Sequence, residues 1–338
     1  MTYKWFIDET VQQLSHLYGS AEGRAMGVRL LQHFCGTSSY EHLVEPYGAI
    51  AEEYLSPLQN AVQQLAASRP IQYVIGYQEF LGRRFFVEEG VLIPRPETEE
   101  LVRWVKEEVD KLCVVEGKIE KCDSVNDRRG EISDVFSEKL RIIDGACGSG
   151  SIAISLAALL PQSQIYAFDI SEKALEVTRR NSEALLPDPS QVKIFRYDLL
   201  TEESFSNEMH FALRNDFGEG EVSCGEDSAL KVDVIVSNPP YVTNSEKGVM
   251  QKNVVDYEPE EALFVPDEEP LIFYKALERF ASQWLKPGGA IFLEINERFG
   301  SETSAIFKEA GYTNIEIKQD LFGKERMVMA VKCYSDSL

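Results

Sequence analysis

The sequence predicts an α/β fold: a mostly parallel sheet of seven strands with an antiparallel edge, preceded by a small N-terminal helical bundle and a linking β-hairpin. Beyond about residue 140, short apolar runs alternate with patterns of helical period, which is typical of parallel strands joined by right-handed crossovers. The last two apolar runs are close together in sequence and predict the antiparallel edge. The predicted strands are residues 141–146, 164–170, 192–198, 231–237, 290–295, 315–318 and 328–333, with helices near 152–160, 172–184 and 270–285.

The chain before this region divides into two predicted segments. Residues 1–76 place apolar side chains at helical spacing and predict a helical domain. Residues 77–96 carry β-forming side chains around turn glycines and predict the hairpin, with one extended run at 90–93. The prolines and acidic residues that follow suit the entry to a helix, so we place the start of the α/β domain, residues 97–338, at this point.

Two segments interrupt the α/β pattern, near residues 106–139 and 202–230. Both are polar and acidic, are rich in Ser, Asn, Asp and Gly, and show no clear periodicity. We interpret them as surface insertions. The alternative is a substrate-specific arm.

Composition narrows the class of function. The 338-residue chain carries a formal net charge of −22, which repels nucleic-acid phosphates and would attract a basic protein partner. Its 6 cysteines are scattered without a Cys-x-x-Cys pair and it has only 4 histidines, so neither a metal site nor a disulfide framework is predicted. The N-terminal residues lack the apolar region of a signal peptide, and no stretch approaches the roughly 18 apolar residues of a membrane span. We therefore predict a cytoplasmic enzyme that binds neither membranes nor nucleic acid directly.

The tetrapeptide Asn238-Pro239-Pro240-Tyr241 follows a predicted strand and suits a grip on a planar NH2 group. The nitrogen of such a group is a poor nucleophile because its lone pair is delocalised. If the Asn238 side-chain oxygen and the Pro239 carbonyl each accept one hydrogen, the lone pair is aimed at an electrophile in line with it. Tyr241 would stack on the flat group. The same residues also suit an ordinary turn after a strand.

A glycine-rich turn, Asp144-Gly145-Ala146-Cys147-Gly148-Ser149-Gly150, joins the first predicted strand of the sheet to a helix. Such turns let a ligand approach the backbone beside unpaired helix N–H groups. Asp169, at the end of the second strand, could accept hydrogen bonds from a ribose diol, and Asp198, at the end of the third, could accept from an adenine amino group. Both could instead cap helices or face solvent. Their register with the turn favours a nucleoside site.

With these residues in view, the chain resembles the class I, Rossmann-like methyltransferases that use S-adenosylmethionine. More narrowly, it resembles the PrmC/HemK family, which methylates the glutamine amide of the Gly-Gly-Gln motif in peptide chain release factors. The resemblance covers nearly the whole chain apart from the two predicted insertions. It is carried by Pro70-Ile71-Gln72-Tyr73-Val74-Ile75-Gly76 with Phe80 and Gly82, by Val91-Leu92-Ile93-Pro94-Arg95-Pro96-Glu97-Thr98-Glu99, by the glycine turn, by the tetrapeptide, and by Tyr257-Glu258-Pro259-Glu260-Glu261-Ala262-Leu263.

The resemblance implies roles for individual residues. The turn from Ala146 to Gly150 would face the methionine part of S-adenosylmethionine, Asp169 the ribose, and Asp198 with Leu199 the adenine; S-adenosylhomocysteine would be the product. The helical domain would dock the release factor, and we expect a monomer. The expected cofactor-binding residues are Asp144, Ala146, Cys147, Gly148, Ser149, Gly150, Asp169, Asp198, Leu199 and Asn238; the expected catalytic residues are Asn238, Pro239 and Tyr241, which with Pro240 also form the substrate site.

The turn departs from the family pattern at Ala146, where many relatives have glycine. A methyl group is tolerable there if φ is negative, so we expect cofactor binding to persist.

Three alternatives remain open. A sister enzyme methylates a glutamine of a large-subunit ribosomal protein, but its segment before the α/β domain usually reads Pro-Arg-Ser-Pro, unlike Pro94-Arg95-Pro96-Glu97. An adenine-amino DNA methyltransferase shares the tetrapeptide but needs a target-recognition region and a positive surface. A non-catalytic binding module is the third, and the intact Asn238 and Tyr241 argue against it.

Overall fold

A computed structural model describes residues 1–115, 139–201 and 231–333, which form two compact units. The first unit comprises Met1–Gln78, Val87–Gly90 and Val249–Glu258, and the second comprises the described parts of Glu79–Phe86, Val91–Gly248 and Pro259–Leu338. The sequence placed residues 249–258 in the α/β domain, whereas the structure groups them with the N-terminal helices. In none of the described ranges is a helix both long and apolar enough to cross a membrane.

Helices dominate the first unit, and helices and strands alternate through most of the second. The helices are α1 (Tyr3–Tyr18), α2 (Ser20–Cys35), α3 (Glu41–Val44), α4 (Glu52–Ala66), α5 (Ile71–Ile75), α6 (Pro96–Val115), α7 (Ser151–Leu159), α8 (Glu172–Leu185), α9 (Lys252–Val255), α10 (Ile272–Trp284) and α11 (Gly300–Glu309). The strands are β1 (Tyr77–Phe80), β2 (Arg83–Phe86), β3 (Leu140–Gly145), β4 (Ser163–Asp169), β5 (Val192–Arg196), β6 (Val232–Ser237), β7 (Val242–Thr243), β8 (Phe264–Val265), β9 (Leu285–Glu294), β10 (Tyr312–Gln319) and β11 (Glu325–Lys332).

The first unit is built from helices around one apolar core. Helix α1 begins after Thr2, whose side-chain oxygen accepts the Trp5 backbone N–H and so satisfies one of the free donors at the helix start. The core is formed by side chains that recur at helical spacing, among them Leu14 and Leu58, both with no exposed surface. Residues 249–258 are tied to this unit by the Tyr257 hydroxyl, which donates to the Ala67 carbonyl at 2.7 Å.

The hairpin of the second unit lies earlier than its predicted extended run at 90–93. Strands β1 and β2 pair across Leu81 and Gly82, whose φ values of 47° and 73° are both positive, as a type I′ turn requires. Residues 90–93 form no strand. Val91 and Ile93 are instead buried, at 1% and 2% exposure, which explains why this run is apolar.

The seven-stranded sheet confirms the predicted fold class. Its strand order is β10-β11-β9-β6-β3-β4-β5. Neighbours from β9 through β5 are parallel, while β11 is antiparallel to both β9 and β10. The chain runs from β3 outward to β4 and β5, then returns to β6 on the other side of β3. This reversal between β3 and β6 is the point where open α/β sheets bind ligands.

Several predicted boundaries shift in the structure. Strand β5 ends at Arg196, so Asp198 lies two residues beyond the strand it was expected to end. Helix α6 continues through Val115, so residues 106–115 are helical rather than part of the first insertion. The helix persists because Leu101, Val105 and Val109 recur every four residues and are buried. Residues 116–138 and 202–230, where the rest of the predicted insertions falls, lie outside the described residues.

Candidate functional site

Four chemically distinct residues lie side by side at the carboxyl end of the sheet. Strand register pairs Phe168 with Gly145, Gly145 with Ser237, and Ser237 with Leu293. The next residue of each strand or turn is therefore Asp169 on β4, Ala146 after β3, Asn238 after β6 and Glu294 on β9. We call these four residues the carboxyl-end row. Three of them were predicted site residues, and the sheet brings them together across adjacent strands.

The glycine turn is tied to the neighbouring strand β4 and to α8. The Cys147 N–H donates to the Phe168 carbonyl at 2.9 Å, and the Gly148 N–H donates to the Asp169 carboxylate at 2.8 Å. On the other side, the Thr178 hydroxyl donates to the Gly148 carbonyl at 2.9 Å. The middle of the turn is therefore held between β4 on one side and α8 on the other.

Helix α8 also fastens the turn to the hairpin through Asn181, which has 1% exposure. Its amide nitrogen donates to the Ser149 carbonyl at 2.9 Å and to the Phe86 carbonyl at 3.0 Å. Its amide oxygen accepts the Phe86 N–H at 2.8 Å. One buried side chain thus holds two segments that are far apart in sequence.

The members of the turn face different surroundings. Gly150 has φ +77°, and a Cβ there would lie 2.7 Å from Thr178 Cγ2, so this glycine is needed for packing. A Cβ on Gly148, with φ +57°, would meet nothing within 4 Å, so this glycine borders open space. Cys147 and Ser149 are buried at 5% and 2% exposure, and burial raises the pKa of the Cys147 thiol well above its usual range. Among the turn residues predicted to bind the cofactor, Gly148 thus offers an open backbone face.

Ala146 corrects an expectation. Its φ is +55°, in the left-handed region. The expectation that its methyl group is easily tolerated required a negative φ. An alanine in this conformation is about 1–2 kcal/mol less favourable than in the right-handed region. The turn keeps the shape that glycine usually provides, at some cost in stability.

Asp144 contributes a buried carboxylate beneath the turn. It has no exposed surface; one oxygen accepts the Ala153 N–H at 2.9 Å, and the other, Oδ1, has no hydrogen-bond partner among the described residues. Burial, and secondarily the charge of Asp169, raise the pKa of Asp144 well above its usual value. An unpaired buried acceptor is costly, so this oxygen suits a donor group brought by a ligand or by water.

The two other acidic residues differ in how they are placed. Asp169 accepts N–H groups from Gly148 and Ser171, and burial raises its pKa although these hydrogen bonds oppose the shift. Each of its oxygens keeps a further lone pair for a ligand hydroxyl. Asp198 is half-buried and caps the following turn by accepting the Leu200 N–H at 2.9 Å, while Leu199 is buried in the apolar core. Asp198 therefore has the capping role that the sequence left open.

The tetrapeptide is anchored from behind by side chains. Asn238 is half-buried, and Pro239 and Pro240 are buried. The Asn238 amide nitrogen donates to the Thr98 hydroxyl at 3.1 Å. The Tyr241 hydroxyl donates to Glu294 Oε1 at 2.9 Å, and burial together with the Glu294 charge raises the pKa of Tyr241 well above its usual value.

Glu294 links these two contacts. Its other oxygen, Oε2, accepts the Thr98 hydroxyl at 2.6 Å, and Glu294 and Thr98 are both buried, at 1% and 2% exposure. Burial raises the pKa of Glu294, while the hydrogen bonds from Thr98 and Tyr241 oppose that shift. Two residues on, the Asn296 amide donates to the Tyr241 carbonyl at 3.1 Å and to Glu246 Oε2 at 3.0 Å. The carboxyl end of β9 therefore holds both the side chain and the backbone of Tyr241.

Thr98, Asn181, Glu294 and Asn296 were not among the predicted site residues. One signal for Glu294 was present, because a lone carboxylate closes the apolar run from Ala290 to Leu293. Thr98 lies in a motif that carries the family resemblance, but nothing in that motif indicated its partner Glu294, 196 residues later.

The chain is similar to known methyltransferases over nearly its full length. A family model described as a methyltransferase domain matches residues 136–247. The release factor glutamine methyltransferase of Bacteroides thetaiotaomicron is 34% identical over 319 residues, covering 94% of this chain and 96% of that protein. The protein of the same name from Flavobacterium psychrophilum is 32% identical over 328 residues, covering 97% of this chain and 98% of that protein. The resemblance seen in the motifs is thereby confirmed, and the chain belongs to the release factor glutamine methyltransferase family.

Proposed function

We propose that this methyltransferase transfers a methyl group from S-adenosylmethionine to the side-chain amide nitrogen of the glutamine in the Gly-Gly-Gln motif of peptide chain release factors. The observation that carries the proposal is the carboxyl-end row, in which Asn238 follows the strand that pairs with β3, the strand leading into the glycine turn. The names of the relatives support the choice of substrate. A planar amide and its methyl donor would meet between these two strand ends.

The residues around the turn fit S-adenosylmethionine. The unpaired Oδ1 of Asp144 suits the ammonium group of the methionine part, and the open face at Gly148 leaves room for the chain of the ligand. Asp169 retains the lone pairs that a ribose diol needs. We also propose that Ala146, Cys147, Ser149, Gly150 and Leu199 lie next to the bound cofactor. Asp198 caps its turn with one oxygen, and its other oxygen would accept from the adenine amino group. When bound, the cofactor supplies an electrophilic methyl group on a positively charged sulfur.

Asn238 and Pro239 would orient the substrate. With its nitrogen engaged by Thr98, Asn238 has its amide oxygen left to accept one hydrogen of the glutamine NH2, and the Pro239 carbonyl would accept the other. Positioning of this kind supplies roughly 7–11 kcal/mol in well-aligned reactions, so no strongly basic group is needed to start the reaction. Tyr241 would cover the flat amide and exclude water.

The substrate is tested with labelled S-adenosylmethionine and purified release factor, either wild type or with the glutamine of Gly-Gly-Gln replaced. Label is expected on the wild-type factor alone; equal labelling of both would refute the assignment. Asn238→Ala is expected to lower kcat at least about 100-fold while cofactor affinity stays within about threefold. Asn60→Ala, at an exposed position of α4, is the control and should behave as wild type.

We also propose that the first unit docks the release factor. Four large apolar side chains at and around α3 are exposed: Tyr40 at 63%, Leu43 at 70%, Val44 at 71% and Tyr47 at 76%. Exposed apolar patches of this kind mark protein-binding surfaces. Replacing Leu43 and Val44 together by Glu is expected to raise KM for the release factor at least about tenfold and to leave cofactor affinity unchanged. An unchanged KM would show that the release factor does not dock on these residues.

A further inference from the structure

A chain of hydrogen bonds runs behind Asn238 and ends at a buried carboxylate. The Asn238 amide nitrogen donates to Thr98 Oγ1 at 3.1 Å, and the Thr98 hydroxyl donates to Glu294 Oε2 at 2.6 Å. The Tyr241 hydroxyl reaches the other oxygen of the same carboxylate at 2.9 Å. Thr98 and Glu294 are 2% and 1% exposed, so solvent cannot readily replace either partner.

When Glu294 is ionised, the chemistry of these groups fixes the direction of the chain. An ionised carboxylate only accepts hydrogen bonds, so both hydroxyls must donate to Glu294. The Thr98 hydroxyl has a single hydrogen and has used it, so it can only accept from Asn238. Asn238 must then turn its NH2 toward Thr98 and its carbonyl oxygen the other way.

We propose that Thr98 and Glu294 are positioning residues that hold the Asn238 amide in the one orientation able to accept a hydrogen from the substrate amide. The inference rests on the proposed function. If the Asn238 amide were flipped, its NH2 would face the NH2 of the substrate, and the site would lose an acceptor. Glu294 additionally fixes Tyr241, so one carboxylate sets both side chains of the tetrapeptide that touch the substrate.

The orientation depends on Glu294 being ionised. A protonated Glu294 could donate to Thr98, which would then donate to Asn238 and flip its amide. The hydroxyls of Thr98 and Tyr241 donate to this carboxyl group, and the Tyr274 hydroxyl donates to the backbone carbonyl of Glu294. Two charged side chains also act on it, Arg326 on β11 and Glu97 on α6. Arg326 favours the ionised form, whereas burial and Glu97 oppose it.

The first test removes the hydroxyl of Thr98 while keeping its shape. Thr98→Val is expected to lower kcat between about 10- and 100-fold, with KM for both substrates and the cofactor Kd within about twofold of wild type. Thr98→Ser, which keeps the hydroxyl, should restore most of kcat. Thr303→Val is the matched control, because Thr303 on α11 is fully buried and its hydroxyl has no partner within the described part of the chain. This control should retain wild-type kcat.

A double-mutant cycle separates positioning from a merely structural role. In an Asn238→Ala background, Thr98→Val should change kcat by less than about twofold, because Thr98 acts through the amide that is already absent. Equal losses in both backgrounds, or wild-type kcat in Thr98→Val, would overturn the inference. Wild-type enzyme that fails to label release factor would instead refute the proposed function.

Thr98→Ala keeps the test decisive if Thr98→Val does not fold, because it removes the same hydroxyl with a smaller side chain. The Asn238 amide again loses the acceptor that fixes its NH2, so kcat is expected to fall at least about tenfold at unchanged cofactor Kd. Wild-type kcat in folded Thr98→Ala would overturn the inference.

Discussion

Exchanging one atom of Asn181 should destabilise the protein in a way that depends on pH. In Asn181→Asp, the nitrogen that donates to the Ser149 and Phe86 carbonyls at 2.9 and 3.0 Å becomes an oxygen. The two carbonyls then face an acceptor in a site with 1% exposure. The introduced aspartate must either stay charged and lose both hydrogen bonds or take up a proton and restore one of them.

The size of the effect follows from these two choices. Losing two hydrogen bonds costs about 2 kcal/mol, and repulsion from the carbonyls adds to that in the charged form. Protonating an aspartate of ordinary pKa costs about 4 kcal/mol at pH 7 and about 1.5 kcal/mol at pH 5. The protonated form still lacks one of the two hydrogen bonds, which adds about 1 kcal/mol to either cost. We therefore expect a loss of about 2–5 kcal/mol in the free energy of unfolding at pH 7, falling to at most about 2.5 kcal/mol at pH 5.

The sign follows from linkage. The folded state raises the pKa of the introduced carboxyl above its unfolded value, so the deficit shrinks as pH falls. Urea unfolding followed by circular dichroism at pH 5, 6 and 7 measures it, with Asn60→Asp as the control because Asn60 is exposed and its oxygen, which the exchange keeps, accepts from Gln64. A deficit below about 1 kcal/mol at pH 7, or a deficit that is larger at pH 5 than at pH 7, would refute the assigned role of Asn181.

Three further predictions concern the turn and the site. Ala146→Gly relieves a left-handed alanine but adds freedom to the unfolded chain, so the free energy of unfolding should rise by up to about 1 kcal/mol in urea titrations. Gly150→Ala should cost about 2–4 kcal/mol, because its methyl group would meet Thr178, whereas the matched Gly148→Ala should cost only about 1–2 kcal/mol and mainly weaken cofactor binding in calorimetry. The rate of methyl transfer should fall on acidification as Glu294 takes up a proton. Because burial raises the pKa of Glu294, this fall should occur at a pH above the ordinary titration range of glutamate. A rate that stays constant as the pH is lowered to the ordinary glutamate range would contradict this prediction.

Much of the fold was predictable because the sheet follows from a local pattern. Mostly apolar runs such as 232–236 are followed by polar residues, and parallel strands bring their carboxyl ends to one edge. That reasoning correctly placed the glycine turn and Asn238 at strand ends, and the strand order of the sheet makes the two ends neighbours. The same pattern erred at Asp198, since Tyr197 extends the apolar character past Arg196, where β5 ends.

The rest of the site depends on strand register and on contacts between distant segments. Asn238 donates a hydrogen bond to Thr98, which lies 140 residues earlier in the sequence. No local motif indicates which helix N-terminus will pack against which strand end. The φ of Ala146 likewise depends on the turn being pulled toward β4 by the Cys147 N–H. Contacts with the rest of the fold therefore stabilise a backbone conformation of Ala146 that is unfavourable for an isolated alanine.

Selection of the substrate and the chemistry of transfer must rest on different parts of this chain. Two acceptors and an aromatic ring grip any planar NH2, so Asn238, Pro239 and Tyr241 by themselves would serve an adenine as well as a glutamine. Asn238 and Tyr241 are held by sheet register and by hydrogen bonds to the buried Thr98 and Glu294. The net charge of −22 disfavours a duplex, and the exposed apolar residues around α3 favour a protein. Variants of the exposed residues around α3 should therefore raise KM for the release factor without changing the rate of transfer once it is bound, whereas variants of Asn238 and Thr98 should lower that rate.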